Sequence, residues 1–312
     1  MEQTPLVSIA MCTYNGAKFL AAQLDTLVTQ TYKRIEIIVA DDCSTDDTFS
    51  ILTVYAAKYS QFRIYRNEKN LGFTANFEKA VKLCGGDLIA LCDQDDLWDH
   101  KKIELQVDAI KENMLIYHDS EFIHEDGTSM HKNMSDVMNL YRGGEPEVFL
   151  FFNCVSGHSI LMKKELLNDA LPLKKDYFHD WWLAYVATNV GKIDFIPQCL
   201  VKYRQHDHSD TNILRRKRGA DSHTLSSVQK IRRIQQWLSF CAGFPKNRNP
   251  EIIERFYNAF TQRVNSYLSF TLSRLLFKHR RTIFYIRKKS KLNRLNYIFG
   301  QVWGLKTKKL YH

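Results

Sequence analysis

The sequence predicts an α/β fold, a mostly parallel sheet flanked by helices, followed by a basic α-helical appendage. Two observations carry this. Residues 1–113 alternate short apolar runs with segments of helical periodicity, the pattern of right-handed βαβ units whose sheet is covered on both faces. Beyond residue 210 acids become rare: residues 211–312 hold 23 Lys/Arg and 3 Asp/Glu, against 21 and 31 in residues 1–210. A front half of net −10 and a tail of net +20 imply separate jobs, and the chain divides into regions 1–210 and 211–312.

Leu6 to Cys12 is an apolar run closed by Tyr14-Asn15-Gly16 and reads as a buried strand. Residues 17–30 then place Phe19, Leu20, Leu24, Leu27 and Val28 on one helical face. Ile35 to Ala40 is a second strand closed by Asp41-Asp42, and Ser44 or Thr45 is a plausible cap for a helix reaching about Tyr59. Phe62 to Tyr65 is a third strand and residues 73–84 a third helix; Asp87 to Cys92 is a fourth strand, with a helix from about Asp99 to Asn113. Met114 to His118 reads as another strand, and Asp126-Gly127 as a turn between two strands. Residues 128–146 read as a polar loop. Phe149–Met162 and Ile193–Tyr203 have strand character around a helix at 179–190, and residues from 211 onward are helical.

The 312 residues allow one large domain plus an appendage, and 45% hydrophobic with 25% charged residues is ordinary for a folded protein. The seven cysteines are scattered without a CxxC or Cys/His cluster, which fits a reducing compartment. The first residues lack the basic-then-apolar pattern of a secretory signal, and no window approaches the ~18 apolar residues of a spanning helix. A cytoplasmic or membrane-surface location is expected.

In parallel sheets ligands bind at the carboxyl ends of the strands. Those ends carry Thr13-Tyr14-Asn15, Asp41-Asp42 and Asp93-Gln94-Asp95-Asp96. Three carboxylates within four residues repel one another unless a cation compensates, and hard divalent ions take oxygen ligands, Mg2+ with one or two carboxylates plus substrate phosphates. A solvated acidic loop capping the next helix is the blander alternative. At Asp41-Asp42-Cys43-Ser44-Thr45-Asp46, helix capping competes with recognition of a nucleoside base or ribose.

Thr13-Tyr14-Asn15-Gly16, Val39-Ala40-Asp41-Asp42-Cys43-Ser44-Thr45-Asp46, Asn70-Leu71-Gly72 to Asn76, and Cys92-Asp93-Gln94-Asp95-Asp96-Leu97-Trp98 together resemble the family 2 glycosyltransferases of the Rossmann-like GT-A fold. The DQDD-x-W form is similar to the branch of rhamnosyltransferase-like enzymes of bacterial surface polysaccharide assembly. The resemblance spans about the first 100 residues and implies roles for them. Thr13, Tyr14 and Asn15 line the nucleotide pocket, Asp41 or Asp42 reads the base, and Asn70 and Gly72 shape an adjacent loop. Asp93 lies nearer the ribose and Asp95 binds the metal, Mg2+ or Mn2+, in a D-x-D pair. The metal neutralises the leaving diphosphate.

An inverting transferase needs a base for the acceptor proton. Phe178-His179-Asp180-Trp181-Trp182 resembles the acceptor-side acidic motif with His where Glu is commoner, making Asp180 the candidate base, although a first-turn helix acid is a common use of Asp. Gly157 of Ser156-Gly157-His158 falls where the family has a glycine loop near the donor sugar. His206 of Tyr203-Arg204-Gln205-His206 is the candidate to complete the metal site, with His208 a competitor.

The resemblance implies a UDP- or dTDP-sugar donor and a glycan or lipid-linked acceptor. The tail interleaves cations with aromatics from Trp237 to Trp303, which suits an anionic membrane surface at ~1 kcal/mol per Lys/Arg. Lipid-linked acceptors favour this on the inner face of the plasma membrane, and no nucleic-acid partner is expected. A helical subdomain with a solvated cationic face is the remaining alternative. Two other functions fit less well. A sugar-nucleotide pyrophosphorylase would need a glycine-rich loop, and Thr13–Lys18 has one glycine; an inactive peripheral scaffold would not need Asp93, Asp95 and Asp180.

Overall fold

The computed structural model describes residues 4–175, 177–206 and 226–309. The chain forms two compact units, one of residues 1–136, 142–144 and 155–211, the other of residues 137–141, 145–154 and 212–312.

The first unit begins with β1 (Val7–Thr13), α1 (Ala17–Val28), β2 (Ile35–Asp41), α2 (Thr48–Lys58), β3 (Phe62–Arg66), α3 (Phe73–Leu83) and β4 (Leu88–Cys92). Next come β5 (Leu97–Trp98), α4 (Lys102–Ile110), β6 (Leu115–Ile123), β7 (Ser129–Asn133) and the short α5 (Met134–Val137). After them lie β8 (Leu161–Lys163), α6 (Leu167–Ala170), α7 (His179–Val190) and β9 (Ile193–Arg204). The sheet runs β3-β2-β1-β4-β8-β6-β9-β5, with β7 paired to β6. Strands β1 to β4 are mutually parallel, as are β6 and β9, while β8 runs antiparallel to both β4 and β6. Val7, Ile9 and Met11 of β1 pack with Leu20, Leu24 and Leu27 of α1, all fully buried. Burial of each such leucine is worth ~1.5–3 kcal/mol. On the other face α3 lies against β1 and β2. Continuous apolar strands buried on both sides are what a parallel sheet requires.

The β6–β9 register jumps between His118–Ile196 and Asp119–Cys199, passing over Pro197 and Gln198. Proline lacks a ladder donor and is confined to such bulges or to sheet edges.

Three sequence expectations need correction. Phe149–Met162 is not a strand: it forms 3₁₀ turns at Pro146–Phe149 and Gly157–Ser159, and only Leu161–Lys163 joins the sheet. Asp126-Gly127 is the turn between two strands that the sequence predicts, with Gly127 at φ 88°, but the second strand, β7, takes up the start of the stretch read as a polar loop. The second helix starts at Thr48, beyond Ser44 and Thr45, whose side chains bond elsewhere.

The second unit holds α8 (Ser227–Ala242), α9 (Pro250–Val264), α10 (Thr271–Lys278), α11 (Arg280–Ile283), α12 (Lys291–Gly300) and α13 (Leu305–Lys309). Ser226 and Gln229 form a reciprocal capping box for α8. Phe151, Trp237, Phe256, Phe260, Leu272, Leu276 and Phe284 supply buried core, with Phe151 edge-on to Phe256 at 5.8 Å. No helix among the described residues is long and apolar enough to cross a membrane.

Candidate active site

The carboxyl ends of β1, β2, β4, β6 and β9 open on one edge of the sheet, because all five strands point the same way. Tyr14, Leu71 and Phe73 are large exposed hydrophobics on segments that follow β1 or open α3.

The turn after β1 is tied to its neighbours on two sides. Asn15, at φ 46°, accepts from Thr45 N at 2.8 Å, and its own N–H donates to Ser44 Oγ at 3.0 Å. The Gln94 amide exchanges two hydrogen bonds with the Tyr14 backbone, 2.9 and 3.0 Å. A side chain on Gly16 would place its Cβ 2.1 Å from Gln94 Oε1, so only glycine allows this clasp.

Asp41 and Asp42 are almost fully buried, and protein donors engage both. Asp41 accepts from Thr13 Oγ1 at 3.0 Å, Ser44 N at 3.1 Å and Ser44 Oγ at 2.5 Å. Asp42 accepts from Asn67 Nδ2 at 2.7 Å, Leu71 N at 2.8 Å and Gly72 N at 2.9 Å. Gly72 N is shared with Asn70 Oδ1 at 3.0 Å, and Gly72 adopts φ 84°. Asp42 thus anchors the 70–72 loop. Asp42→Ala is expected to lower unfolding stability by ~2–3 kcal/mol, since removing the acceptor strands a buried amide donor. A urea titration with an unchanged midpoint would refute that anchoring role.

The acids after β4 crowd together. Asp93, Asp96 and His158 each offer a ligand atom, and those atoms lie within 4.8 Å of one another. Asp96 is fully buried and its Oδ1 accepts from Arg204 N at 3.0 Å. Its Oδ2 has no hydrogen-bond partner among the described residues and lies 3.6 Å from His158 Nδ1. Burial, reinforced by the charges of Asp95 and Asp93, pushes the Asp96 carboxyl well above its usual range. His158 is held neutral by burial, its pKa down at about 3, and its Nε2 meets Ser120 Oγ at 2.8 Å. Beneath lies Lys102, fully buried 3.3 Å from the Trp98 ring centre, its pKa lowered by burial to about 7.

His206 Nε2 stands 2.7 Å from Asp95 Oδ2, although the two residues are 111 apart in sequence. Arg204 fixes this pair: its Nε donates to Asp95 O at 2.8 Å, and its guanidinium covers the Phe19 ring at 4.8 Å. Phe19 in turn lies 5.2 Å from the His206 ring. Oxygen donors with imidazole nitrogens, crowded carboxylates and an unpartnered buried oxygen fit a hard divalent cation.

Asp180 opens α7. The backbone N–H of Trp181, at 2.5 Å, and that of Gly157 both donate to its carboxylate. Those bonds lower its pKa, but burial outweighs them and raises it to about 7. Gly157 precedes His158, so this one turn links Asp180 to the acid cluster. His179 packs 4.2 Å from the Phe77 ring, and a Cβ on Gly157 would come within 3.0 Å of its Nε2. Burial drops its pKa to about 4, so His179 is a neutral packing ring. Phe73, next to Gly72, reaches Phe178 at 6.2 Å between ring centres, bringing the start of α3 to the start of α7.

The family model described as Glycosyl transferase family 2 matches residues 8–171, more than half of the chain. The chain belongs to this family. Similar family members include an uncharacterized glycosyltransferase of Rickettsia typhi, 31% identical over 221 residues covering 67% of each chain. Another, of Haemophilus influenzae, is 26% identical over 227 residues, 68% of this chain and 69% of that one. An uncharacterized protein of Mycobacterium tuberculosis is 31% identical over 208 residues, 65% of this chain. The chain spans 59% of the length of that mycobacterial relative. Among solved structures, Staphylococcus aureus TarS residues 1–349 in complex with UDP-GlcNAc aligns with a TM-score of 0.59 at 15% identity, covering 95% of this chain and 81% of that one. The mannosyltransferase PcManGT from Pyrobaculum calidifontis, in complex with GDP-Man and Mn2+, aligns at 0.53 with 15% identity, covering 96% and 80%. The likeness establishes the GT-A fold for this chain.

Most residues singled out from the glycosyltransferase motifs come together at the strand ends: Thr13, Tyr14, Asn15, Asp41, Asp42, Asp93, Asp95 and His206, with Asn70 and Gly72 held there by Asp42. Gly157 and Asp180 meet each other, and His158 connects them to Asp93. His208 lies outside the described residues. The family motifs imply no individual role for Asp96, counted only within the acid cluster, and none for His158. Both sit inside motifs already noted, Asp96 closing DQDD and His158 following Gly157, so adjacency was the available signal.

Proposed function

We propose that this glycosyltransferase is an inverting, metal-dependent enzyme that moves a sugar from a nucleoside diphosphate to an acceptor hydroxyl. The observation that carries the reading is Asp180, whose carboxyl titrates near 7 one turn away from the acid and imidazole cluster after β4. A base with that pKa is matched to proton transfer at neutral pH. The TarS complex with UDP-GlcNAc and the PcManGT complex with GDP-Man and Mn2+ support a nucleotide-sugar donor and a divalent ion in this fold.

Thr13, Tyr14 and Asn15 form one wall of the donor site, with the Tyr14 ring, 47% exposed, available to stack on a base. Asp41 and Asp42 act on the nucleotide through the loops they shape. Asp93 would serve the ribose and the metal, and Asp95 and His206 would hold that ion, Mg2+ or Mn2+, with Asp96 and His158 adjoining Asp93. When bound, the ion neutralises charge developing on the departing diphosphate. Asp180 accepts the acceptor hydroxyl proton; the acceptor oxygen bonds to the anomeric carbon as the bond from that carbon to the phosphate oxygen breaks. The acceptor approaches from the Asp180 side, opposite the diphosphate, which inverts the anomeric centre. The donor is a UDP- or dTDP-sugar. The acceptor is a glycan or lipid-linked glycan of bacterial surface polysaccharide synthesis, and the enzyme works on the inner face of the plasma membrane.

Thermal unfolding with UDP-, dTDP- and GDP-sugars, with and without Mn2+, tests the donor site. A donor at 100 times its Kd adds about 2.7 kcal/mol, which raises Tm by several degrees. Metal-dependent protection by a sugar nucleotide and slow metal-dependent hydrolysis of the same donor are expected. Protection or turnover that ignores EDTA would overturn the metal-dependent reading.

A further inference from the structure

The second unit carries an apolar surface that its own fold leaves open. α10 buries Leu272, Leu275 and Leu276, yet its opposite side presents Phe270, Arg274 and Phe277, spaced i, i+4, i+7. α12 buries Ile298 and presents Leu292, Asn296 and Phe299 at the same spacing. The two helices pack together, with Ser273 Oγ donating to Ile298 O at 3.0 Å. An antiparallel bridge pairs Leu268 with Trp303, and Ser269 N donates to Val302 O at 2.9 Å. Bridged partners project to one side, so Leu268 and Trp303 lie side by side on the segments that lead into α10 and out of α12. Leu268, Phe270, Phe277, Leu292, Phe299 and Trp303 are 49% to 70% exposed, in a unit that has buried aromatics to spare for its core. A protein that keeps six large apolar groups in water on paired segments has a partner for them.

The charge around this surface identifies that partner. Residues 255–312 contain 14 Lys/Arg and no Asp or Glu. Arg274, Lys278, Lys291 and Lys306 are exposed on or beside the same elements. A second copy would set cation against cation. An anionic bilayer supplies what both kinds of group need, acyl boundary for the apolar side chains and lipid phosphates for the ammonium and guanidinium groups. We infer that the outward faces of α10 and α12, joined through the Leu268–Trp303 bridge, form a docking surface for an anionic lipid bilayer. This rests on the reading that the enzyme works at a membrane and gives that placement specific side chains. The surface dips into the headgroup boundary and does not span.

The test uses the full chain with phosphatidylcholine vesicles, either pure or containing 30% phosphatidylglycerol. Co-sedimentation is expected with the anionic vesicles, at least about tenfold tighter than with neutral ones and weakened by salt. The variant Leu292→Ser/Phe299→Ser/Trp303→Ser is expected to lose at least about tenfold in vesicle binding while keeping metal-dependent donor hydrolysis. Because these side chains are exposed, circular dichroism should not change. As a second measure, anionic vesicles should blue-shift tryptophan emission, and Trp303→Phe should remove most of that shift. Equal vesicle binding by variant and wild type overturns the surface, as does binding that ignores lipid charge. A dimer abolished by the triple substitution, without vesicle binding, assigns the face to a second copy and also overturns it. Absence of donor hydrolysis with vesicle binding intact would instead sink the transferase reading and leave this one standing.

Discussion

Asp180→Asn is expected to reduce turnover by about 10²–10⁴-fold, the usual contribution of a positioned general base, with donor affinity nearly unchanged. The substitution preserves size, and the amide oxygen can still accept from the N–H groups of Gly157 and Trp181, so geometry is retained while the proton acceptor is lost. The pH profile adds a check that a packing role would not move. The raised pKa means the carboxyl is protonated and unable to act as a base below about 7, and competent above it. Wild-type activity should therefore rise with pH to a plateau, with an acid limb near 7. In Asp180→Asn that limb should vanish from whatever activity remains. Donor turnover at saturating metal across pH 5.5–8.5 measures both effects. A variant that keeps half the wild-type rate, or a wild-type limb near pH 4, would remove Asp180 from the role.

The environment that makes this carboxyl basic also explains why its partner histidine is inert. At Phe178-His179-Asp180 the helix starts with its first side chain turned into the Phe77 and Gly157 packing and its second turned to the Gly157 amide. Burial penalises charge on both groups, pushing the imidazole down to about 4 and the carboxyl up to about 7. One is neutral at working pH and the other is poised to exchange a proton. His179 is therefore a packing ring where the family motif more often has an acid.

The front of the fold was legible because its strands are buried on both faces. Runs such as Val7–Cys12, Ile35–Ala40 and Leu88–Cys92 are apolar but for Ser8 and Glu36, which hydrogen-bond to each other, and polar turn residues end each one. Where apolarity had another cause the same rule misled. Phe149–Cys154 is apolar because Phe151 sits among Phe256 and Phe260 in the helical unit, not because the segment pairs in a sheet. β5, two residues long, is below what periodicity detects. In the site, local clusters such as Asp93–Asp96 were visible, and the family pattern pointed to His206. The contact of His158 with Asp96 depends on β8 being inserted antiparallel between β4 and β6, which no local signal announces. At Asp41 and Asp42 the sequence offered nucleotide recognition and helix capping as alternatives. Their strand-end position suggested direct nucleotide contact, yet the neighbouring backbone and side-chain donors engage both carboxylates.

Asp95→Ala is expected to lower metal-stimulated turnover by about 10²–10³-fold, the scale seen when an electrostatic stabiliser of developing charge is removed. The fold should survive, because Arg204 holds this residue through its carbonyl oxygen and Asp96 through its own carboxylate, and neither bond uses the Asp95 side chain. Metal-free stability should stay level or rise slightly. Removing one of three neighbouring carboxylates relieves repulsion, which offsets the lost pairing with His206. The combination is diagnostic: Tm in EDTA equal to or above wild type, Mn2+ protection lost, and turnover lost with it. His206→Ala should move the same three readouts in the same directions by smaller amounts, since one ligand of the pair remains. If Asp95→Ala still responds to Mn2+ as wild type does, the ion sits instead among Asp93, Asp96 and His158, the one group of at least three such side chains with ligand spacing among the described residues. In that event Asp96→Asn, which leaves Oδ1 to accept from Arg204 N, becomes the substitution that abolishes the response.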